Sequence, residues 1–265
     1  MKNDNLKKYA LITGGTAGIG LELARLFAKD NYNLVLVARD DARLSSVKTE
    51  LETEFDIEVV TISQDLAAFN AAAEVYRQVA DKHIFIDILV NDAGQGEYGL
   101  FVKADLNRLL EIIQLNIVAT TCLTHFFLKD MLAHERGKIL QLGSIASEIP
   151  GPWQAVYHAT KAFVLSLSEA IRQEISDSNV TITVLEPGAT DTDFFNKAGM
   201  TGSKIMDQKL SDPKKVAKDG YSALMAGKDK VISGVKNKLM IAASNLMSDS
   251  QATRQMEKMQ EPKKK

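Results

Sequence analysis

Short apolar runs alternate along the chain with longer segments whose apolar residues recur at helical spacing. Residues 9–12, 33–37, 57–62, 85–90, 138–143 and 180–185 read as buried strands, and a shorter one follows at 230–233. Helical patterns lie between them. Leu21, Leu23, Ala24, Leu26 and Phe27 follow the first strand, and a helix over 41–54 follows the second. Leu106, Leu109, Leu110, Ile113, Ile117 and Val118 mark a long helical region over about 105–133, and Ala155, Val156, Ala159, Ala162, Phe163, Leu165 and Leu167 mark another after the fifth strand. Alternation of this kind predicts a parallel sheet covered by helices on both faces. No linker rich in Pro, Gly or Ser interrupts it, so residues 1–265 are expected to form a single α/β domain. Beyond the sixth strand the pattern predicts a lid near 190–212, a helix from 213 to about 225, and a C-terminal helical extension near 237–258.

In sheets of this type ligands bind at the carboxyl ends of the strands, and there the polar and small residues gather. The first strand runs into Thr13-Gly14-Gly15-Thr16-Ala17-Gly18-Ile19-Gly20, whose glycines permit a tight turn and whose helix N-terminus favours a phosphate. The spacing departs from G-x-G-x-x-G, and Leu21 stands where a P-loop needs Lys. The second strand ends at Ala38-Arg39-Asp40. An acidic side chain there suits the ribose 2′-hydroxyl of NAD and an arginine the 2′-phosphate of NADP, so Arg39 favours NADP(H). Asp65, at the third strand end, either caps the next helix or meets the adenine. The fourth strand delivers Asn91-Asp92-Ala93-Gly94, and Asn116 interrupts the apolar stripe of the long helix. A buried Asn must be hydrogen-bonded, so it either braces backbone or serves a polar site. Tyr157 and Lys161, four apart, share a helix face on which the ammonium is expected to lower the phenol pKa and make Tyr157 a usable acid–base group. Ser144, at the end of the fifth strand, would add a hydroxyl at the same sheet edge.

Composition narrows the class. The 265 residues are 45% hydrophobic and 25% charged, with a formal net charge of −2, an ordinary globular profile with no electrostatic footprint for nucleic acid. Cys122 has no cysteine partner in the chain and reads as a small core hydrophobe. No N-terminal targeting pattern and no apolar run near 18 residues stand out, which leads to the expectation of a soluble, cytoplasmic protein without a membrane span. Residues 261–265 are expected to be a frayed, solvated end.

Taken together and in order, Gly14-x-x-x-Gly18-x-Gly20, Asn91-Asp92-Ala93-Gly94, Asn116, Ser144, Tyr157-x-x-x-Lys161 and Pro187-Gly188 resemble the short-chain dehydrogenase/reductase superfamily over about residues 9 to 195. The resemblance implies a doubly wound, Rossmann-type α/β fold and reversible hydride transfer between a nicotinamide cofactor and a small-molecule carbonyl or secondary alcohol. By resemblance Asn116, Ser144, Tyr157 and Lys161 are the catalytic set. Tyr157 gives or takes the proton, Ser144 holds the substrate oxygen, Lys161 also holds the nicotinamide ribose, and Asn116 supports a water linked to the lysine. Gly14, Thr16, Gly18, Ile19 and Gly20 would line the pyrophosphate, Asp65 and Leu66 the adenine, and Asn91, Ala93 and Gly94 the ribose side. Thr190 and Thr192, beyond Pro187 and Gly188, would hold the carboxamide, while Asp191 or Thr192 could equally cap a helix. Asp92 departs from the usual second Asn of its motif. A homodimer or homotetramer is implied, with the helices near 105–133 and 155–177 as candidate interfaces. No metal is expected.

Phe194, Phe195, Ala198, Met200, Ile205 and Met206, set among Gly199 and Gly202, read as an apolar substrate lid, or else as core or a subunit contact. With Ile149, Pro150 and Trp153 they suggest an apolar pocket, in which Ser144, Trp153 and Tyr157 would contact substrate. The C-terminal stretch carrying Leu239, Met240, Ile241, Leu246 and Met247 packs on the domain, meets another subunit or lies on a membrane surface, the first being favoured. Two alternatives accompany this reading. One is a reductase of 3-oxoacyl thioesters, whose carrier phosphate would need Lys197, Lys204 or Lys209; the other is a cofactor-binding regulator that turns over nothing.

Overall fold

The computed structural model describes residues 7–263. Strands β1 (Tyr9–Thr13), β2 (Asn33–Ala38), β3 (Val59–Ser63), β4 (Ile88–Asn91), β5 (Gly137–Leu142), β6 (Val180–Glu186) and β7 (Lys230–Ile232) form one parallel sheet in the order β3-β2-β1-β4-β5-β6-β7. The helices in chain order are α1 (Gly18–Lys29), α2 (Asp41–Phe55), α3 (Ala71–Asp81), α4 (Leu106–Ile113), α5 (Thr120–Ala133), α6 (Ala155–Glu174), α7 (Phe194–Lys197), α8 (Pro213–Met225), α9 (Val235–Ser244) and α10 (Asp249–Gln260).

The strands are apolar throughout because both faces are covered, and successive side chains enter opposite layers. Leu11, Val35, Val37, Leu89, Ile139 and Ile182 pack with α3, α5 and the end of α6. Ile12, Leu34, Leu36, Val90, Leu140 and Leu185 pack with α1, α2 and α8. The direction of strand succession reverses between β1 and β4, which opens a crevice at their carboxyl ends. Phe27 of α1, fully buried against Tyr32 and Tyr221, anchors the helix whose N-terminus faces that crevice.

Several boundaries differ from the sequence reading. β4 starts at Ile88, because Phe85 leaves the sheet to lie under the Arg136 guanidinium, 4.5 Å from the ring centre, and Asp87 turns its carboxylate to the Tyr9 N–H at 3.0 Å. The third strand likewise begins at Val59 rather than residue 57. The helical region over 106–133 is continuous but carries a π turn at Gln114–Ala119, with Asn116 in it. By length and composition alone this helix could cross a membrane, with a mean hydropathy of 1.3. Its apolar residues Leu115, Leu123, Phe127 and Met131 belong instead to the core beneath the sheet.

The C-terminal extension is two helices, not one. A capping box of Ser248 and Gln251 starts α10 afresh after α9. Met240, Ile241, Ala252 and Met256 pack with Ile145 and Ile149, whereas Leu239 and Leu246 are exposed. The expected frayed tail is also corrected. Lys204 N–H donates to Glu261 O at 3.0 Å, Lys263 N–H donates to Gly202 O at 2.9 Å, and ion pairs Lys204–Glu261 and Lys263–Asp207 close at 2.5 Å. Backbone pairing holds residues 261–263 on the lid; Lys264 and Lys265 lie outside the described residues.

Candidate active site

A cavity of about 630 Å³ follows the carboxyl ends of the strands from the β1–α1 loop to the lid. Gly14 takes a φ of +72°, a conformation strained for any residue with a Cβ, and its N–H donates to Val37 O at 2.9 Å. A Cβ on Gly20 would fall 2.6 Å from both Gly14 O and the Asp92 carboxylate, so the loop lies flat on the next strand end. α1 starts at Gly18 with no cap from the side chain of Ala17, and with the Gly20 N–H turned to Asp92 it is the Gly18 and Ile19 N–H groups that are left for an anion in the cavity. This cradle fits a dinucleotide pyrophosphate.

At the β2 end, Arg39 reaches Asp65 at 3.9 Å and Arg43 Nε donates to Thr16 O at 2.8 Å, and all four residues line the cavity. Asp40 lines the cavity beside them and also caps α2, its carboxylate accepting the Arg43 N–H at 3.0 Å. Asp65 accepts the Ala67 N–H at 3.0 Å, so it both shapes its turn and faces the cavity.

The loop after β4 is fixed from behind. Buried Thr13 accepts the N–H groups of Asp92 and Ala93 at 3.0 and 3.1 Å. Asn116 clamps Gln95, receiving its N–H at 3.0 Å and donating to its carbonyl at 2.9 Å, and donates to Thr160 at 3.0 Å. Of the two readings left open for Asn116, bracing of backbone is the one seen, although its Oδ1 also lies near Lys161 Nζ across Gly94. Burial pushes the Asp92 carboxyl up to about 7, opposed by the Lys161 charge and the Gly20 N–H.

Ser144 caps a short 3-10 turn over Ile145–Ser147, its Oγ accepting the Ala146 N–H at 3.1 Å. Tyr157 and Lys161 project from α6 on one side as their spacing requires, with the ammonium 5.8 Å from the phenol ring centre. The expected lowering of the phenol pKa by Lys161 is not seen. Burial pushes Tyr157 up to about 12, with Ser144 alone pulling it down and Asp92 adding to the rise. Lys161 itself is brought down to about 8 by burial, and its Nζ donates to Leu142 O at 2.6 Å. Brought down to about 8, Lys161 has given up its charge before a phenol near 12 ionises, so it offers the phenolate no help.

Of the residues singled out from sequence, Gly14, Thr16, Gly18, Ile19, Arg39, Asp65, Leu66, Ala93, Gly94, Ser144, Tyr157, Lys161, Pro187, Gly188, Thr190 and Thr192 line this one cavity. Gly20, Asn91, Asn116 and Trp153 do not. Asn91 is buried behind the crevice, donating to Thr124 and Gln141 at 3.1 Å each, and so ties β4 to β5 and α5 instead of meeting a ribose. Trp153 stacks on Tyr98 outside the cavity, and its neighbour Gln154 takes the lining position. Thr192 Oγ1 accepts the Phe194 N–H at 3.4 Å as a turn cap, and Thr190 donates to Gly188 O at 2.9 Å. The lid residues Phe195, Ala198, Met200 and Ile205 cluster beneath Tyr98, and the Phe194 ring lies 5.0 Å from that of Tyr157.

Sequence reasoning missed Arg43, Asp92, Gln154, His158, Met256, Met259 and Gln260 as lining residues. Arg43, four residues beyond Arg39 on an N-terminal helical turn, carried a local signal. Gln260 carried none, because it reaches the cavity only through tertiary packing.

The chain belongs to the short-chain dehydrogenase/reductase family: the family model for short chain dehydrogenases matches residues 8–201. It is 32% identical to a very-long-chain 3-oxoacyl-CoA reductase of Laccaria bicolor over 67% of this chain and 55% of that protein. The chain thus spans about half the length of the curated relatives it matches first. Among solved structures, a short-chain dehydrogenase from Sphingobium yanoikuyae in complex with NADPH superposes with a TM-score of 0.79 at 29% identity, covering 91% of this chain and 95% of that one. A bulky-bulky ketone specific alcohol dehydrogenase from Comamonas testosteroni superposes at 0.77 and 28% identity, covering 92% and 95%.

Proposed function

We propose that this protein uses NADP(H) to interconvert a carbonyl and a secondary alcohol on an apolar small molecule, with Tyr157 as the proton donor and acceptor. The observation that carries the reading is the single cavity in which Ser144, Tyr157 and Lys161 stand on one wall and the open N-terminus of α1 on the other. When bound, the nicotinamide supplies the hydride. Gly14 to Ile19 would hold its pyrophosphate, Arg39 and Arg43 a 2′-phosphate, and Pro187, Gly188, Thr190 and Thr192 the nicotinamide end. NADP rather than NAD is supported by the two guanidinium groups that line the cavity at the β2 end.

With its pKa raised to about 12, the phenol keeps its proton at neutral pH, which suits donation to a carbonyl oxygen as hydride arrives at the carbon. Ser144 would hold that oxygen at the same time, and the Phe194, Phe195, Ile205, Met256 and Met259 walls exclude water from the reacting centre. A second reading, reduction of 3-oxoacyl thioesters, is favoured by the names of the Laccaria relative and others like it. Of the three lid lysines it would draw on, Lys197 and Lys204 are engaged by Asp193 at 3.1 Å and Glu261 at 2.5 Å, which leaves Lys209 as the one without an ion pair among the described residues. The test is NADPH oxidation by the purified protein against ketones, diketones, steroids and 3-oxoacyl thioesters, with Tyr157→Phe as control. Activity on one class that vanishes in the variant supports the reading; NADPH binding without turnover on any class overturns it.

A further inference from the structure

The far end of the cavity is closed by the C-terminus of α10, through a chain of contacts whose polarity is fixed link by link. His158, buried one residue after Tyr157, sits so close to Gly151 that a Cβ there would fall 2.1 Å from the imidazole. Its Nδ1 lies 2.6 Å from Ile149 O, and a carbonyl only accepts, so the proton is on Nδ1 and Nε2 must accept. The donor it meets is the Gln260 amide nitrogen at 2.9 Å. That same nitrogen faces Gln154 Oε1 at 3.5 Å, which fixes the second amide as well. The backbone carbonyl of Gln260 accepts from Tyr98 O–H at 2.5 Å and Ser203 Oγ at 2.8 Å. One residue thereby joins the α6 helix, the loop after β4 and the lid, and Met256 and Met259 of the same helix form part of the cavity wall.

The closure is incomplete in polar terms. Gln260 Oε1 and Gln154 Nε2 are both buried with no hydrogen-bond partner. An unsatisfied buried polar group weakens the state that contains it, so this side-chain contact across the pocket opens more readily than the backbone pairing that keeps residues 261–263 on the lid. Resting on the reading of this cavity as a carbonyl-substrate site, we infer that Gln260 is a specificity-determining latch: its side chain holds α10 across the pocket through His158 and Gln154 and thereby limits the length of the apolar substrate beside Tyr157. The atoms that would otherwise be strained in a closed pocket are those a longer substrate exposes to water when it displaces the helix end.

The test uses the full chain in two arms. Hydrogen exchange of residues 249–263 is compared in the wild type, Gln260→Ala and Tyr98→Phe, with β1 and β4 as internal controls for folding. In parallel, kcat/KM with NADPH is measured for short to long 2-alkanones and for short to long 3-oxoacyl thioesters. Gln260→Ala is expected to lose protection in 249–263 alone and to raise the long-to-short ratio of kcat/KM about tenfold, the gain falling in KM; Tyr98→Phe moves both the same way by less. Unchanged protection in Gln260→Ala overturns the latch, and lost protection with an unchanged length profile overturns its role in selection. A wild type that reduces neither series overturns the carbonyl reading and the length claim with it, and exchange then decides the latch separately.

Discussion

At the end of the cavity built by β1, β2 and β4, polar groups are answered across adjacent strand ends, with Asn91 Oδ1 left over, whereas at the other end the wall is assembled from helices and loops outside the sheet. Thr13 serves the loop after β4, Asp40 caps its own helix and Arg43 is held by Thr16. Opposite them, Gln260 reaches back 102 residues to His158 and 162 to Tyr98, and leaves two buried amide atoms unanswered. Strand ends of one rigid sheet give a preformed site for a constant ligand. Helices and loops joined by a few long-range contacts give a site that can be reshaped for a variable one.

The largest test falls between the two ends, at Tyr157. Tyr157→Phe removes the proposed proton donor while keeping the ring against Phe194, and turnover is expected to drop by about 10²- to 10⁴-fold with the NADPH Kd held. Steady-state rates and fluorescence titration of NADPH read the two quantities apart, and a variant with near wild-type turnover removes Tyr157 from the chemistry. Next in size is the double change Arg39→Ala with Arg43→Ala. Loss of two charged contacts should weaken NADPH about 10- to 100-fold and leave NADH nearly untouched. Equal losses for both cofactors would show the guanidinium groups acting on the loop rather than on a phosphate.

Much of the first region was legible because its signals are local. Glycines at a strand end, an arginine after β2 and a Tyr-Lys pair at helical spacing each encode their own geometry. Even there, two inferences failed for reasons no spacing could reveal. Asn91 is turned toward α5 by Thr124 and Gln141, 33 and 50 residues away. The Tyr157 pKa rises because desolvation, with the Asp92 charge beside it, outweighs the hydrogen bond from Ser144. In the second region little was legible. Trp153 looked like a substrate contact by composition but packs on Tyr98, while Gln154 and Gln260, unremarkable in sequence, take the lining positions.

A smaller effect sharpens the account of the cofactor end through pH. Asp92 has its carboxyl raised from the ordinary 3.8 to about 7, so between those values the folded chain binds more protons than the unfolded one. Stability therefore falls as pH climbs through that window, and the loss is complete above it. Asp92→Asn should flatten this part of the curve, matching the wild type near pH 4 and exceeding its Tm near pH 8. Glu186, raised to about 8, titrates in both proteins and cancels in the difference, while Lys161, already brought down to about 8, loses the support of the Asp92 charge in the variant and is lowered further, which trims the gain near pH 8. Parallel Tm profiles would mean that the Asp92 carboxylate is not held at a cost in the folded chain.

The smallest expected effect probes the outer surface of the variable end. Met256 and Ile241 are buried on the inner side of the C-terminal helices, whereas Leu246, in the link between α9 and α10, is 91% exposed. Substitution at a site without contacts changes stability by no more than about 0.5 kcal/mol, so Leu246→Ser should unfold with the wild type. The measurement becomes informative if it fails. A clear loss of Tm that depends on protein concentration would mean that a second subunit covers this link, since coupling of stability to concentration requires association. The variable end would then be walled from outside as well as by Gln260, and light scattering on the two proteins would show the shift in mass that such a contact requires.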